Sequence, residues 1–228
     1  MNLQLAVAIT CGLLLISACS EEGFSDRVLR TAATNGDKAT LIRYLQKGGD
    51  IDAPLTQASG DNKRFTRMLH EAAWAERVEF VQALIVHKAN VNATNWLGQT
   101  ALMELLSADP NPMRAVIINL ILSDSVNLKI KDAEGDDALN HASSGQPAAI
   151  IKLLLQAGAN PNTTNAIGKT PLHKATNVEC VRLLMQAGAK TSVLDCNGDS
   201  PIDIARKGRR WSVLNLLTNA PSPSLLPE

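Results

Sequence analysis

Aromatic residues are scarce: they make up 3% of the 228 positions. Three Trp, one Tyr and three Phe leave the core to abundant Ala and Leu, which suits thin helical layers packed closely. Net charge is absent as well, with 22 basic residues against 22 acidic ones. No extended basic stretch interrupts that balance, so the electrostatic footprint of a nucleic-acid binder is missing. Long apolar runs are missing too. Leu3 to Ile16 carries no charge, but it is shorter than the roughly 20 residues that span a bilayer.

Chemistry is equally sparse. The four histidines include no pair at the i, i+4 spacing of a helical metal site. Asp132, Glu134, Asp136 and Asp137 form an acidic turn, yet they lack the spacing and terminal Glu of a calcium loop. Gly168-Lys169-Thr170 imitates the end of a phosphate loop without its upstream Gly. Ser143 and Ser144 have only the adjacent His141 as a base. The residues point to no enzyme, no cofactor and no metal.

What is present is a repeat. Gly168-Lys169-Thr170-Pro171-Leu172-His173 starts a helix: Thr is a good N-cap and Pro suits the first helical position. The pattern recurs at Gly98-Gln99-Thr100-Ala101-Leu102, Gly135-Asp136-Asp137-Ala138-Leu139 and Gly198-Asp199-Ser200-Pro201-Ile202. Leu69 and Leu29 anchor two looser copies. Downstream, Leu153–Asn160 matches Leu183–Lys190. From Leu69 to Leu102 is 33 residues, and so is Leu139 to Leu172.

This resembles the ankyrin repeat, whose period is about 33 and whose signature contains T-P-L-H-x-A. Thr170-Pro171-Leu172-His173-Lys174-Ala175 matches it fully. The resemblance implies an all-α solenoid of about six helix-turn-helix units: 26–53, 66–93, 96–130, 133–162, 166–192 and 196–219. It also implies structural roles for His70 and His173, each bonding neighbouring backbone. Leu29 to Leu69 is 40 residues, which leaves an insertion from about Pro54 to Phe65. Asp109-Pro110-Asn111-Pro112 interrupts the third helix pair. Arg67 stands where Thr is expected, with Thr66 placed to cap one residue earlier. Cys180 falls on an apolar position and Cys196 in a turn, too far apart to pair.

Residues 1–18 read as a secretory signal peptide. Leu15-Ile16-Ser17-Ala18-Cys19 resembles the bacterial lipobox, which implies lipidation of Cys19, although no Lys or Arg precedes the apolar run. A plain signal peptide or a buried first helix are the alternatives. Ser20 in place of Asp implies the outer membrane, facing the periplasm. Residues 19–25 would be the lipidated Cys and a short tether, 26–219 the repeat domain and 220–228 a disordered tail.

Function is therefore expected on the surface. Ankyrin stacks bind proteins with their hairpin tips and inner-helix ends. By register the candidate partner-binding residues are Trp74, Trp96, Leu97, Phe65, Lys63, Arg64, Gln99, Glu134, Asp136, Ile167 and Lys169, with Ser107, Thr34 and Asn35 on the same surface. Packing of both tryptophans under the insertion is the competing reading. Trp211 is expected to cover the end of the stack. The layout resembles periplasmic immunity lipoproteins that neutralise type VI secretion phospholipases. A resident scaffold docking an envelope or stress-protection enzyme is the alternative. The free protein is expected to be a monomer.

Overall fold

A computed structural model describes residues 23–57 and 64–218. Helices follow one another as inner and outer partners: α1 (Asp26–Asn35) with α2 (Lys38–Gln46), α3 (Met68–Trp74) with α4 (Val78–Val86), α5 (Ala101–Ser107) with α6 (Pro112–Leu122). Then come α7 (Ala138–Ser143) with α8 (Ala148–Gln156), α9 (Pro171–Lys174) with α10 (Val178–Gln186), and α11 (Pro201–Lys207) with α12 (Trp211–Thr218). The inner helices α1, α3, α5, α7, α9 and α11 pack each on the next. One continuous core runs between the two layers, through Leu69, Leu102, Leu139 and Leu172 inside and Leu84, Ile121, Leu154 and Leu184 outside.

The helix starts follow the sequence logic. Thr100, Asp137 and Ser200 accept backbone N–H bonds at the N-termini of α5, α7 and α11. Gly98, Gly135, Gly168 and Gly198 all have φ of 75–77°, the left-handed conformation that favours Gly. A second device repeats with them. Oδ1 of Asn95, Asp132, Asn165 and Asp195 each accepts the N–H groups two and four residues on, at 2.9–3.2 Å. The tips are stitched along the stack: the N–H groups of Trp96, Ala133, Ala166 and Cys196 donate to the carbonyls of Phe65, Leu97, Glu134 and Ile167.

Two local expectations change, and the insertion takes a defined form: β1 (Leu55–Gln57) pairs antiparallel with β2 (Arg64–Thr66). Leu55 is completely buried and anchors that ribbon, while Arg30 donates to the Leu55 carbonyl at 3.0 Å. Thr66 does not cap α3, since pairing with Leu55 draws it into β2; Arg67 is the N-cap and its side chain makes no cap bond. Trp211 does not cover the end of the stack but stands 64% exposed, and α12 buries Val213 and Leu217 instead. Cys180 is buried and Cys196 exposed, both as free thiols.

Candidate functional site

In the four consecutive copies anchored by Leu69, Leu102, Leu139 and Leu172, the inner-helix residue two beyond the leucine is half-buried. That position holds Glu71, Glu104, His141 and Lys174. Three residues further along the same face stand Trp74 on α3 and Ser107 on α5. The β1–β2 ribbon and the Asn95–Gln99 tip rise beside them. Together Arg64, Phe65, Trp74, Trp96, Gln99 and Ser107 border a cleft of about 350 Å³, with Thr66, Glu71, Glu104, His70 and Asn95 completing its lining.

The two indoles stay open. Trp74 is 57% and Trp96 45% exposed. The ribbon reaches Trp96 through a backbone bond and through Arg64, whose guanidinium lies 4.8 Å over the ring, yet it leaves the ring accessible. Arg114 lies 5.4 Å over Trp74 and is held at 3.3 Å from Glu76. Packing under the insertion is thus partial for Trp96, and Trp74 packs against Arg114.

The carboxylates of the cleft are not equivalent. Glu71 is paired with Arg30 at 2.9 Å. Among the described residues Glu104 has no cation; the Asn95 amide donates to it at 2.5 Å. Burial pushes the Glu104 carboxyl above its ordinary pKa, the Asn95 bond pulls it partly back, and the charge of Glu71 adds to the rise.

His70 is a structural residue. Its Nε2–H donates to the Gln99 carbonyl at 2.9 Å, tying one inner helix to the next tip. His173 makes the same link to Asp199 at 3.1 Å, and the Thr170 N–H donates to its Nδ1 at 3.0 Å. Arg67 replaces that Thr in the earlier copy, and Nδ1 of His70 is buried without a partner among the described residues. Burial lowers the His70 pKa to about 4, so the ring is neutral at pH 7.

Further along, the structure joins residues that the sequence left apart. Ser107 Oγ lies 2.7 Å from His141 Nδ1, and His141 Nε2 lies 2.8 Å from Asp132 Oδ2. Burial pushes the Asp132 carboxyl up, but bonds from His141, Gln99 and the Asp136 N–H outweigh it and hold its pKa below the usual value. The residue types are those of an acyl-transfer triad, but the local field is wrong for one. Ser107 ends α5, where helix carbonyls concentrate negative charge, and its hydroxyl donates its one proton to the Met103 carbonyl at 2.9 Å. An oxyanion requires donors at that place. The chain of bonds instead fastens two consecutive helix pairs.

The other expected residues divide. Leu97, half-buried, is a tip residue whose carbonyl is used in the stitching. Glu134 and Ile167 are exposed on later tips and Lys169 is half-buried, all outside the cleft. On the first pair Asn35 is exposed, and the half-buried Thr34 gives its carbonyl to Arg77 at 2.7 Å. Lys63 and Cys19 lie outside the described residues. Asp136 is a correction: it is 2% exposed and unavailable to a partner, because Lys174 reaches back to it at 2.6 Å and the Asn140 amide donates to it at 3.0 Å. Glu71, Glu104 and His141 were missed as surface residues, although their common distance from the anchor leucines was visible in the sequence.

The comparisons agree with this architecture. A family model described as ankyrin repeats (3 copies) matches residues 69–165 and 142–225. Together these cover more than half of the 228 residues, and the chain belongs to the ankyrin-repeat family. That makes it a protein-interaction module built on a fold that is generally non-enzymatic. It is similar to the tyrosine-protein kinase Shark of Drosophila melanogaster, 30% identical over 199 residues, which are 81% of this chain and 21% of that protein. It is also similar to the nuclear factor NF-kappa-B p110 subunit of Drosophila melanogaster, 34% identical over 90 residues, 37% of this chain and 9% of that protein. The chain therefore spans about a fifth or less of these relatives, and the likeness speaks for the repeats.

Proposed function

We propose that this protein is a lipid-anchored periplasmic binding module whose six helix pairs serve as six repeats, and that it docks a protein partner in the cleft between Trp74 and Trp96. The observation that carries the reading is the exposure of two indoles around one concave cleft. Exposed Trp is uncommon on a surface without a partner and is enriched among the residues that dominate binding energy. The partner we favour is an antibacterial toxin such as a secreted phospholipase, bound and occluded as an immunity protein would do. The lipobox-like segment ending at Cys19 supports placement at the outer membrane, facing the periplasm. The helical stack begins directly after it: Phe24 packs edge-on to Tyr44, ring centroids 5.2 Å apart. A tether this short would hold the cleft close to the lipid surface that a phospholipase must reach.

The test is a pull-down with unlipidated residues 20–228 as bait, against secreted and periplasmic proteins of the source strain. A toxin retained by the wild type and lost with Trp96→Ala, at the hot-spot scale of about 2 kcal/mol or more, supports the reading. A resident envelope enzyme on the bait replaces immunity with scaffolding. A partner held equally by Trp96→Ala overturns the cleft as the docking surface.

A further inference from the structure

The cleft has a chemical bias that narrows what can enter it. Its walls are indoles, and both already carry a guanidinium within the roughly 6 Å range of cation–π attraction. Neither of those arginines neutralises the floor. Arg114 is committed to Glu76 and to the Asp109 carbonyl at 2.6 Å. Arg64 stands exposed at the rim, on β2. On the floor, Glu71 has its own cation in Arg30, and Glu104 has none among the described residues. A partly desolvated carboxylate without a counter-charge is costly, and a cation brought by a ligand would offset part of that cost. The volume of about 350 Å³ is at the small end for ligand sites and fits one long side chain.

We infer that the cleft receives a cationic side chain of the partner, arginine ahead of lysine, between Trp74 and Trp96 and against the carboxylate of Glu104. This rests on the docking reading of the same cleft and specifies its occupant. Arginine is preferred because its planar guanidinium stacks on an indole and can present two parallel N–H groups to one carboxylate. Lysine offers a point charge that is more strongly hydrated and loses more on entering.

The test uses the full chain, extracted in mild detergent and labelled with ¹⁵N at the tryptophan indoles. Its three tryptophans give three indole signals, and Trp211, remote from the cleft, is an internal control. The probes are blocked Ala-Arg-Ala, Ala-Lys-Ala and Ala-citrulline-Ala peptides, the last being neutral but nearly isosteric with the first. The arginine peptide is expected to shift the Trp74 and Trp96 signals and leave Trp211 in place. The lysine peptide should bind more weakly and the citrulline peptide at least tenfold more weakly. Glu104→Gln, which keeps the shape and the Asn95 contact, should lose the same tenfold, with an unchanged melting temperature showing that it folds. Equal binding of the arginine and citrulline peptides overturns the proposal. So does full binding by Glu104→Gln, or no shift of either cleft indole. A partner captured through Trp96 but indifferent to Glu104→Gln overturns only the cationic occupant. A partner indifferent to Trp96→Ala overturns the docking reading itself.

Discussion

Lys174 Nζ lies 2.6 Å from Asp136 Oδ2, joining a half-buried ammonium to a carboxylate that is 2% exposed. The pair crosses from one helix pair to the next, with Asn140 bonded to the same carboxylate. Asp136→Ala should therefore act on stability and not on partner binding. Loss of about 1–3 kcal/mol is expected from the stranded lysine and amide. Urea unfolding measures the loss, and a binding assay checks that affinity is retained.

His70 makes stability fall with acid. Burial holds its folded pKa at about 4, below the ordinary value of 6.5. The unfolded chain binds a proton first, so the stabilising contribution is complete above about pH 6.5 and is lost progressively down to about pH 4. A shift of this size corresponds to roughly 3 kcal/mol. Denaturation of wild type and His70→Gln between pH 7.5 and 4 should show a steeper loss in the wild type. Parallel curves would contradict the buried neutral ring.

A Cβ at Gly135 would stand 2.6 Å from the Ala166 nitrogen, and φ is +77°. Gly135→Ala should unfold at clearly lower temperature, because the atoms it would meet are Asn165–Ala166 backbone and not a flexible side chain. Gly48→Ala is the comparison: its φ is +79°, but nothing lies within 4 Å. It should carry only the cost of the left-handed conformation, about 1–2 kcal/mol. Thermal melts of the two variants separate close approach from conformation.

Leu172 is 2% exposed and belongs to the core between inner and outer layers. Leu172→Ala should cost about 2–5 kcal/mol. An unchanged melting temperature would mean that the repeat register is misplaced.

The repeat was legible because its signals are short-range. Gly168, Thr170 and Pro171 prescribe a turn and a helix start within four residues, and Leu172, the next residue, prescribes the buried face. Each copy repeats the instruction, so period, core leucines and left-handed glycines all follow from the sequence. Trp74 and Trp96 could be placed on one exposed side of the stack by the same register, and both border the cleft. The rest depends on contacts between separate elements, two of them between side chains more than 30 positions apart. Asp136 reads as a solvent-facing tip residue until Lys174, 38 residues later, reaches back to bury it. Thr66 reads as a cap until Leu55 pairs with it as a strand. Ser107, His141 and Asp132 are unremarkable separately and adjacent only after stacking. Glu104 acquires its character in the same way, because the desolvation of a carboxylate and the place of its nearest cation are properties of the assembled stack. The sequence by itself determined the repeating unit and the direction each helix faces. The tertiary structure decided which exposed positions remain exposed, because burial there is imposed by the neighbouring repeat and not by the local chain.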